Sequence, residues 1–271
     1  MTRLLVTHAG SLPRPRPLVD ALAGEAPDAD LDVLVEESVA ATIANQAAVG
    51  IDIASDGEQG RESFFTYVQH RMSGFGLGDG ARRGFQDMND FPGFLDLLRS
   101  QRSRRSQVSL ARPPQAVGPV AYGDGGELIA ELERFERLSS DAGFADRFVT
   151  APSPGLIVTA MANRHYESDA EYLAAVAEAL GVEYRAVIES GYLLQIDAPD
   201  LAMERHAAFR DRSLGDFLAF VDKVVAAING ATVGLDTSRI RLHVCWGNYE
   251  GPHTHDVDLA DLLESLYRAR V

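Results

Sequence analysis

Two patterns of apolar positions alternate along the chain. Short continuous runs suit buried strands, and between them longer stretches repeat apolar residues every three or four positions, as a one-sided helix does. The first run, 3–9, closes at Gly10-Ser11-Leu12-Pro13. Residues 28–49 read as a helix with Leu31, Leu34, Val35, Val39, Ile43 and Ala47 on one face; Gly50 ends it, and 51–55 form a second strand. The alternation returns with strands at 115–122, 148–152, 192–197 and 240–245 and helices at 127–138, 168–190, 213–229 and 259–268.

Repeated strand–helix units with apolar strands predict a parallel sheet covered by helices. The pattern therefore predicts an α/β fold, a (β/α)8 TIM barrel over residues 1–271 with about six of its eight units present. Residues 64–114 break the pattern and read as an irregular insertion. It carries Gly74, Gly76, Gly78 and Gly80, then Arg99, Arg102, Arg104, Arg105 and Arg112, a solvated basic face or a basic lid over an anionic substrate. The chain stops directly after a helix, so two barrel units are expected to be missing; the strand edges this exposes invite self-association into a homo-oligomer.

Composition narrows the function classes. With 40 acidic and 25 basic residues, the net charge of -15 argues against nucleic-acid binding and against docking on anionic membranes. No secretory leader opens the chain and no run approaches the ~18 to 20 apolar residues of a membrane span, so a cytoplasmic enzyme is expected. The single cysteine, Cys245, permits no intrachain disulfide.

Polar residues gather where the strands end, and in parallel α/β barrels that rim carries the active site. His8 and Ser11 follow the first strand, Asp56-Gly57-Glu58-Gln59-Gly60-Arg61 the second, Gln195 and Asp197 the fifth, His243 and Cys245 the sixth. His243 and Cys245 are two apart on a strand, so imidazole and thiol project from the same face. Such a pair suits zinc, which takes nitrogen at about 2.0 Å and sulfur at about 2.3 Å, but supplies two of the usual four donors. Without its neighbours it reads more readily as buried core than as a metal site. The loop 246–256 adds His253 and His255 as supplementary donors, or is simply a turn shaped by glycine and proline. The acids Glu58 and Asp197 read as a base or ammonium holder, or as carboxylates satisfied by local partners.

Taken together, Gly10-Ser11-Leu12-Pro13-Arg14-Pro15, Ser55-Asp56-Gly57-Glu58-Gln59, Gln195-Ile196-Asp197-Ala198-Pro199 and His243-Val244-Cys245-Trp246-Gly247-Asn248 resemble, in order and spacing, the catalytic domain of cobalamin-independent methionine synthase. The resemblance is closer still to its single-domain relatives, which include epoxyalkane:coenzyme M transferase, and covers nearly the whole chain. It implies a zinc ion that activates a substrate thiol toward an alkyl donor. It also implies zinc ligation by His243 and Cys245, an ammonium site at Glu58 and Asp197, and substrate contacts from Ser11, Gln195 and Asn248. The chain departs from the family in reading Asp197-Ala198-Pro199 where methionine synthases have Asp-Glu-Pro, and in having no counterpart of the remaining zinc ligands. The expected function is zinc-dependent methyl or alkyl transfer to a homocysteine-type thiol. The alternatives are epoxide opening by a coenzyme M-type thiol, an inactive shortened paralogue, and zinc-assisted hydrolysis.

Overall fold

A computed structural model describes residues 3–78, 86–101, 113–247 and 251–271. The first half contains α1 (Arg16–Leu22), α2 (Leu31–Ala48), β1 (Ile53–Ala54), α3 (Val68–Arg71), β2 (Met72–Gly76), α4 (Gln86–Asp90), α5 (Pro92–Gln101) and β3 (Gln115–Tyr122). The second contains α6 (Gly126–Ser139), β4 (Asp146–Pro152), α7 (Pro154–Ala160), α8 (Asp169–Glu189), β5 (Leu193–Asp197), α9 (Asp200–Met203), α10 (Leu214–Ala231), β6 (Ile240–His243) and α11 (Leu259–Leu266). No helix among the described residues is long and apolar enough to cross a membrane.

Four strands pair in parallel in the order β1-β4-β5-β6. One face of this sheet is apolar: Val149, Ala151, Leu194 and Ile196 are buried on it. Helix α8 packs on β4 and β5 and lies between α7 and α10. Val176, Leu180, Tyr184 and Val187 of α8 and Phe217, Val221, Val224 and Ile228 of α10 repeat at helical spacing, and all eight are fully buried. Each contributes roughly 1.5–3 kcal/mol through that burial. The helices start where their caps dictate: the Ser168 side chain accepts from Glu171 N, and Ser213 forms a capping box with Asp216.

The predicted helices at 28–49, 127–138, 168–190, 213–229 and 259–268 are all present within a few residues. The burial of α2 differs from expectation. Leu31 and Ala47 are exposed, whereas Thr42 and Gln46 face inward. Gln46 is buried because its amide bonds both the N–H (3.1 Å) and the C=O (2.7 Å) of Ser55, and its Oε1 meets His8 at 2.8 Å.

Two strand expectations are corrected. Residues 3–9 form no regular strand; Val6 O accepts from Asp52 N and Ile53 N, and the neighbouring Leu4 and Leu5 are exposed, so nothing packs the segment into a ladder. The strand at 115–122 exists but pairs antiparallel with β2, within the expected insertion, and not with the parallel sheet. Its register shifts between Ser73 and Phe75, where Gly74 has φ +87°. A Cβ at Gly74 would lie 2.5 Å from the Pro119 carbonyl, so only glycine admits this crossing. The parallel sheet remains open among the described residues, with β1 and β6 as edges.

One buried group links the fold to pH. The Asp200 side chain accepts from Ser153 Oγ at 2.5 Å, while its second oxygen has no partner and lies against Gly155. Burial, with Glu204 adding to it, pushes this carboxyl up to about 7. A carboxyl raised on folding contributes stability that is present below about pH 4 and lost as pH rises through about 7, on the order of 4 kcal/mol. Asp200→Asn is expected to flatten that part of the pH dependence in urea unfolding series. An unchanged slope would assign the dependence to other groups.

Candidate functional site

Beyond β1 the chain makes a left-handed double turn: Gly57 has φ +69° and Glu58 +56°. Glu58 is the one non-glycine residue at positive φ among the described residues, a conformation that costs of order 1–3 kcal/mol. What holds it is the Gly10-Ser11-Leu12-Pro13-Arg14 segment. Arg14 donates to the carbonyls of Glu58 (2.5 Å), Arg61 (2.8 Å) and Gln59 (3.3 Å), and Leu12 N donates to Gly57 O at 3.0 Å. Asp56 accepts from Glu58 N at 2.9 Å.

The Glu58 carboxylate is aimed inward by two hydroxyls. Thr150 Oγ1, on β4, donates to one oxygen at 2.8 Å, and Ser11 Oγ donates to the other. Thr150 in turn accepts from Arg61 at 3.1 Å, and Arg61 also bonds the Thr150 carbonyl at 2.8 Å. Burial raises the Glu58 pKa and nearby Asp197 adds to the effect, against the opposing pull of Arg61, Ser11 and Thr150.

Asp197 closes β5, where one oxygen accepts from Gln195 at 2.7 Å and meets His243 Nδ1 at 2.8 Å. Gln195 also donates to Ala9 O. The in-register pairing of Asp197 with His243 places them side by side. Asp197, and then Cys245 within hydrogen-bonding reach of the same ring, push His243 up to about 10. Gly10 lies against both carboxylates: a Cβ there would sit 2.8 Å from Glu58 Oε1 and 3.7 Å from Asp197 Oδ2. Any larger residue would displace the acid.

The structure thus gathers Ser11, Glu58, Gln195, Asp197, His243 and Cys245 at the C-terminal end of the sheet. Asn248 lies outside the described residues, as do Arg102, Arg104, Arg105 and Arg112 of the arginine cluster. His253 faces Asp256 at 3.0 Å and His255 faces Asp90 of α4 at 2.5 Å, so acids engage both supplementary histidines. Among the described residues no group of three or more His, Cys, Asp or Glu is placed to hold a metal. His243 and Cys245 nonetheless suit zinc as two of its donors. Asp197 on Nδ1 fixes the ring and leaves Nε2 for a metal, the outer carboxylate arrangement typical of zinc-bound histidine.

Thr150 and Arg241 join the expected residues through strand alternation: Thr150 falls between Phe148 and Pro152, and Arg241 two before His243. Nothing in the sequence signals the buried ion cluster behind Glu58. There Arg61 pairs with Glu131 (2.5 Å), Arg71 bridges Glu131 (2.6 Å) and Glu183 (2.9 Å), and the Tyr67 and Tyr122 hydroxyls donate to Glu183 at 2.5 and 2.8 Å. Burial works against the charge on Glu131, yet Arg61 and Arg71 hold it down at about 2.

Over 252 residues the chain is 24% identical to methionine synthase of Saccharolobus solfataricus, covering 91% of this chain and 64% of that protein. The methionine synthase of Sulfolobus acidocaldarius is 22% identical, over 94% of this chain and 65% of the relative. The chain is a relative of the methionine synthases. It spans less than two thirds of the length of these two relatives. No family model matches. In fold it resembles the B12-independent methionine synthase of Shewanella sp. W3-18-1, solved with selenomethionine, at a TM-score of 0.60 and 21% identity over 89% of this chain and 61% of that one. The putative B12-independent methionine synthase of Listeria monocytogenes gives a TM-score of 0.59 at 17% identity, covering 92% of this chain and 68% of that one.

Proposed function

We propose that this site transfers a methyl or alkyl group to the sulfur of a small thiol, with zinc held by His243 and Cys245. The observation that carries the reading is the meeting of two buried carboxylates around Gly10 with His243 beside one of them, on segments that resemble those of the methionine synthases. Zinc at this pair would lower the pKa of a substrate thiol and present it as the nucleophilic thiolate.

The chain's own residues would then orient the acceptor. Glu58 and Asp197 form an anionic pair suited to an ammonium group, as homocysteine carries. Ser11 and Thr150 keep the Glu58 oxygens aimed at it, and Arg14 keeps the turn from relaxing. Because folding raises the Glu58 pKa, ammonium binding is expected to strengthen as pH rises through that value and the carboxylate ionises.

A second reading, thiolate opening of an epoxide, is favoured by Ala198. This residue is fully buried where methionine synthases carry glutamate, so the site is one acid short for an amino-acid substrate. Glu58→Gln separates the two, since glutamine keeps the shape, with one hydroxyl turned round to accept from its NH2, and loses the charge. Homocysteine affinity is expected to fall roughly 10- to 100-fold, while affinity for 2-mercaptoethanol stays level. Equal loss for both thiols, measured by calorimetry, would make Glu58 a scaffold residue.

A further inference from the structure

We propose that Arg241 is the anion subsite of this centre, receiving the carboxylate or sulfonate head of the thiol substrate. The inference rests on the thiol reading above and adds the class of thiol. Arg241 stands on β6 opposite Gln195, two residues before His243, and so shares the face that carries the site. Its guanidinium lies over the Phe148 ring at 4.1 Å and reaches Thr7 Oγ1 at 3.4 Å. Its Nε is buried without an acceptor, and no carboxylate lies within ion-pair distance among the described residues.

Among the described residues Arg14, Arg185 and Arg205 also lack a carboxylate partner, but each donates to a backbone carbonyl instead. Arg61, Arg71, Arg147 and Arg239 all have carboxylate partners at 2.5 to 2.9 Å, and acids outnumber bases 40 to 25. A half-buried cation without a counter-ion is costly to keep. Burial lowers its pKa accordingly. Asp197 is the acid whose charge it feels, and one oxygen of that carboxylate is taken by both His243 and Gln195.

The neighbouring groups leave the role to Arg241. His8 packs on the same Phe148 ring at 5.3 Å, but burial lowers its pKa, with the charge of Arg241 adding to the effect, which disfavours the imidazolium there. Ser11 has its hydroxyl committed to Glu58. The guanidinium fork matches a planar or tripodal oxyanion. Two residues along a strand span about 7 Å, the scale of a short mercapto acid with sulfur at His243–Cys245 and its charged head at Arg241. Arg241 is partly exposed, so a solute can reach it.

The test compares 3-mercaptopropionate, 2-mercaptoethanesulfonate and neutral 2-mercaptoethanol by calorimetry, with propionate and ethanesulfonate as anions lacking a thiol. Wild type is expected to bind one or both acidic thiols about tenfold or more tighter than 2-mercaptoethanol. The tighter of the two names the head group. Arg241→Gln should erase that preference and leave 2-mercaptoethanol binding unchanged; Arg241→Lys should keep part of it. No preference in wild type, or one that survives in Arg241→Gln, overturns the proposal. Should Arg241→Gln not fold, the wild-type preference and the Lys variant still decide. Arg241-dependent binding of propionate or ethanesulfonate without any thiol binding would keep an anion site and overturn the thiol-head assignment together with the thiol reading.

Discussion

Cys245→Ala is expected to strip the protein of zinc. Elemental analysis of wild type should find about one zinc per chain and of the variant essentially none, with thiol alkylation lost alongside. The effect should be large because the described residues bring two donors together and no third: removing the sulfur leaves one imidazole. That imidazole is held on Nδ1 by Asp197, which fixes the ring but adds no further donor for the metal. A retained zinc would place the metal elsewhere, with His253 and His255 the first candidates to mutate. Zinc absent from both proteins would mean that the methionine-synthase fold is kept here without the family's metal chemistry.

How much was legible in the sequence depended on the range of the interaction. The long helices were readable because their apolar spacing and serine caps are local: Ser168 and Ser213 cap α8 and α10 at the predicted starts. The acids after β1 and at the end of β5 were readable for the same reason, whereas the strand expected over 240–245 ends at His243 and leaves Cys245 just beyond β6. Pairing was not readable. Nothing local to 115–122 shows that its partner is 72–76 and not the neighbouring parallel strand, because that choice depends on a bulge admitted by Gly74 against Pro119. The inward turn of Gln46 was equally hidden: its bonds run past the end of α2 to Ser55 and back to His8, 38 residues away. His253 and His255 looked like spare ligands by proximity in sequence, yet their acids, Asp256 and Asp90, come one from the same loop and one from α4.

The second large effect is expected at Arg61, where stability and chemistry share one side chain. Arg61 is almost fully buried, with its guanidinium over the Tyr67 ring at 4.1 Å, its ion pair on Glu131 and its hydrogen bonds on Thr150. Arg61→Met fills similar space but leaves Glu131 to Arg71 alone and removes a donor from the Thr150 hydroxyl that aims Glu58. Breaking a buried pair from one side typically costs 3–5 kcal/mol, so urea unfolding should show a loss of roughly that size. Adding Glu131→Gln should recover part of the loss, because the double variant no longer buries an undercompensated charge. The chemical consequence is separable. With Arg61 gone, the strongest influence opposing the burial of Glu58 disappears, so the pKa of that carboxyl should move further up and homocysteine binding should shift to higher pH. A stability loss without that shift would make the cluster purely structural. Both together would mean that the ion network behind the sheet sets the charge of the carboxylate in front of it.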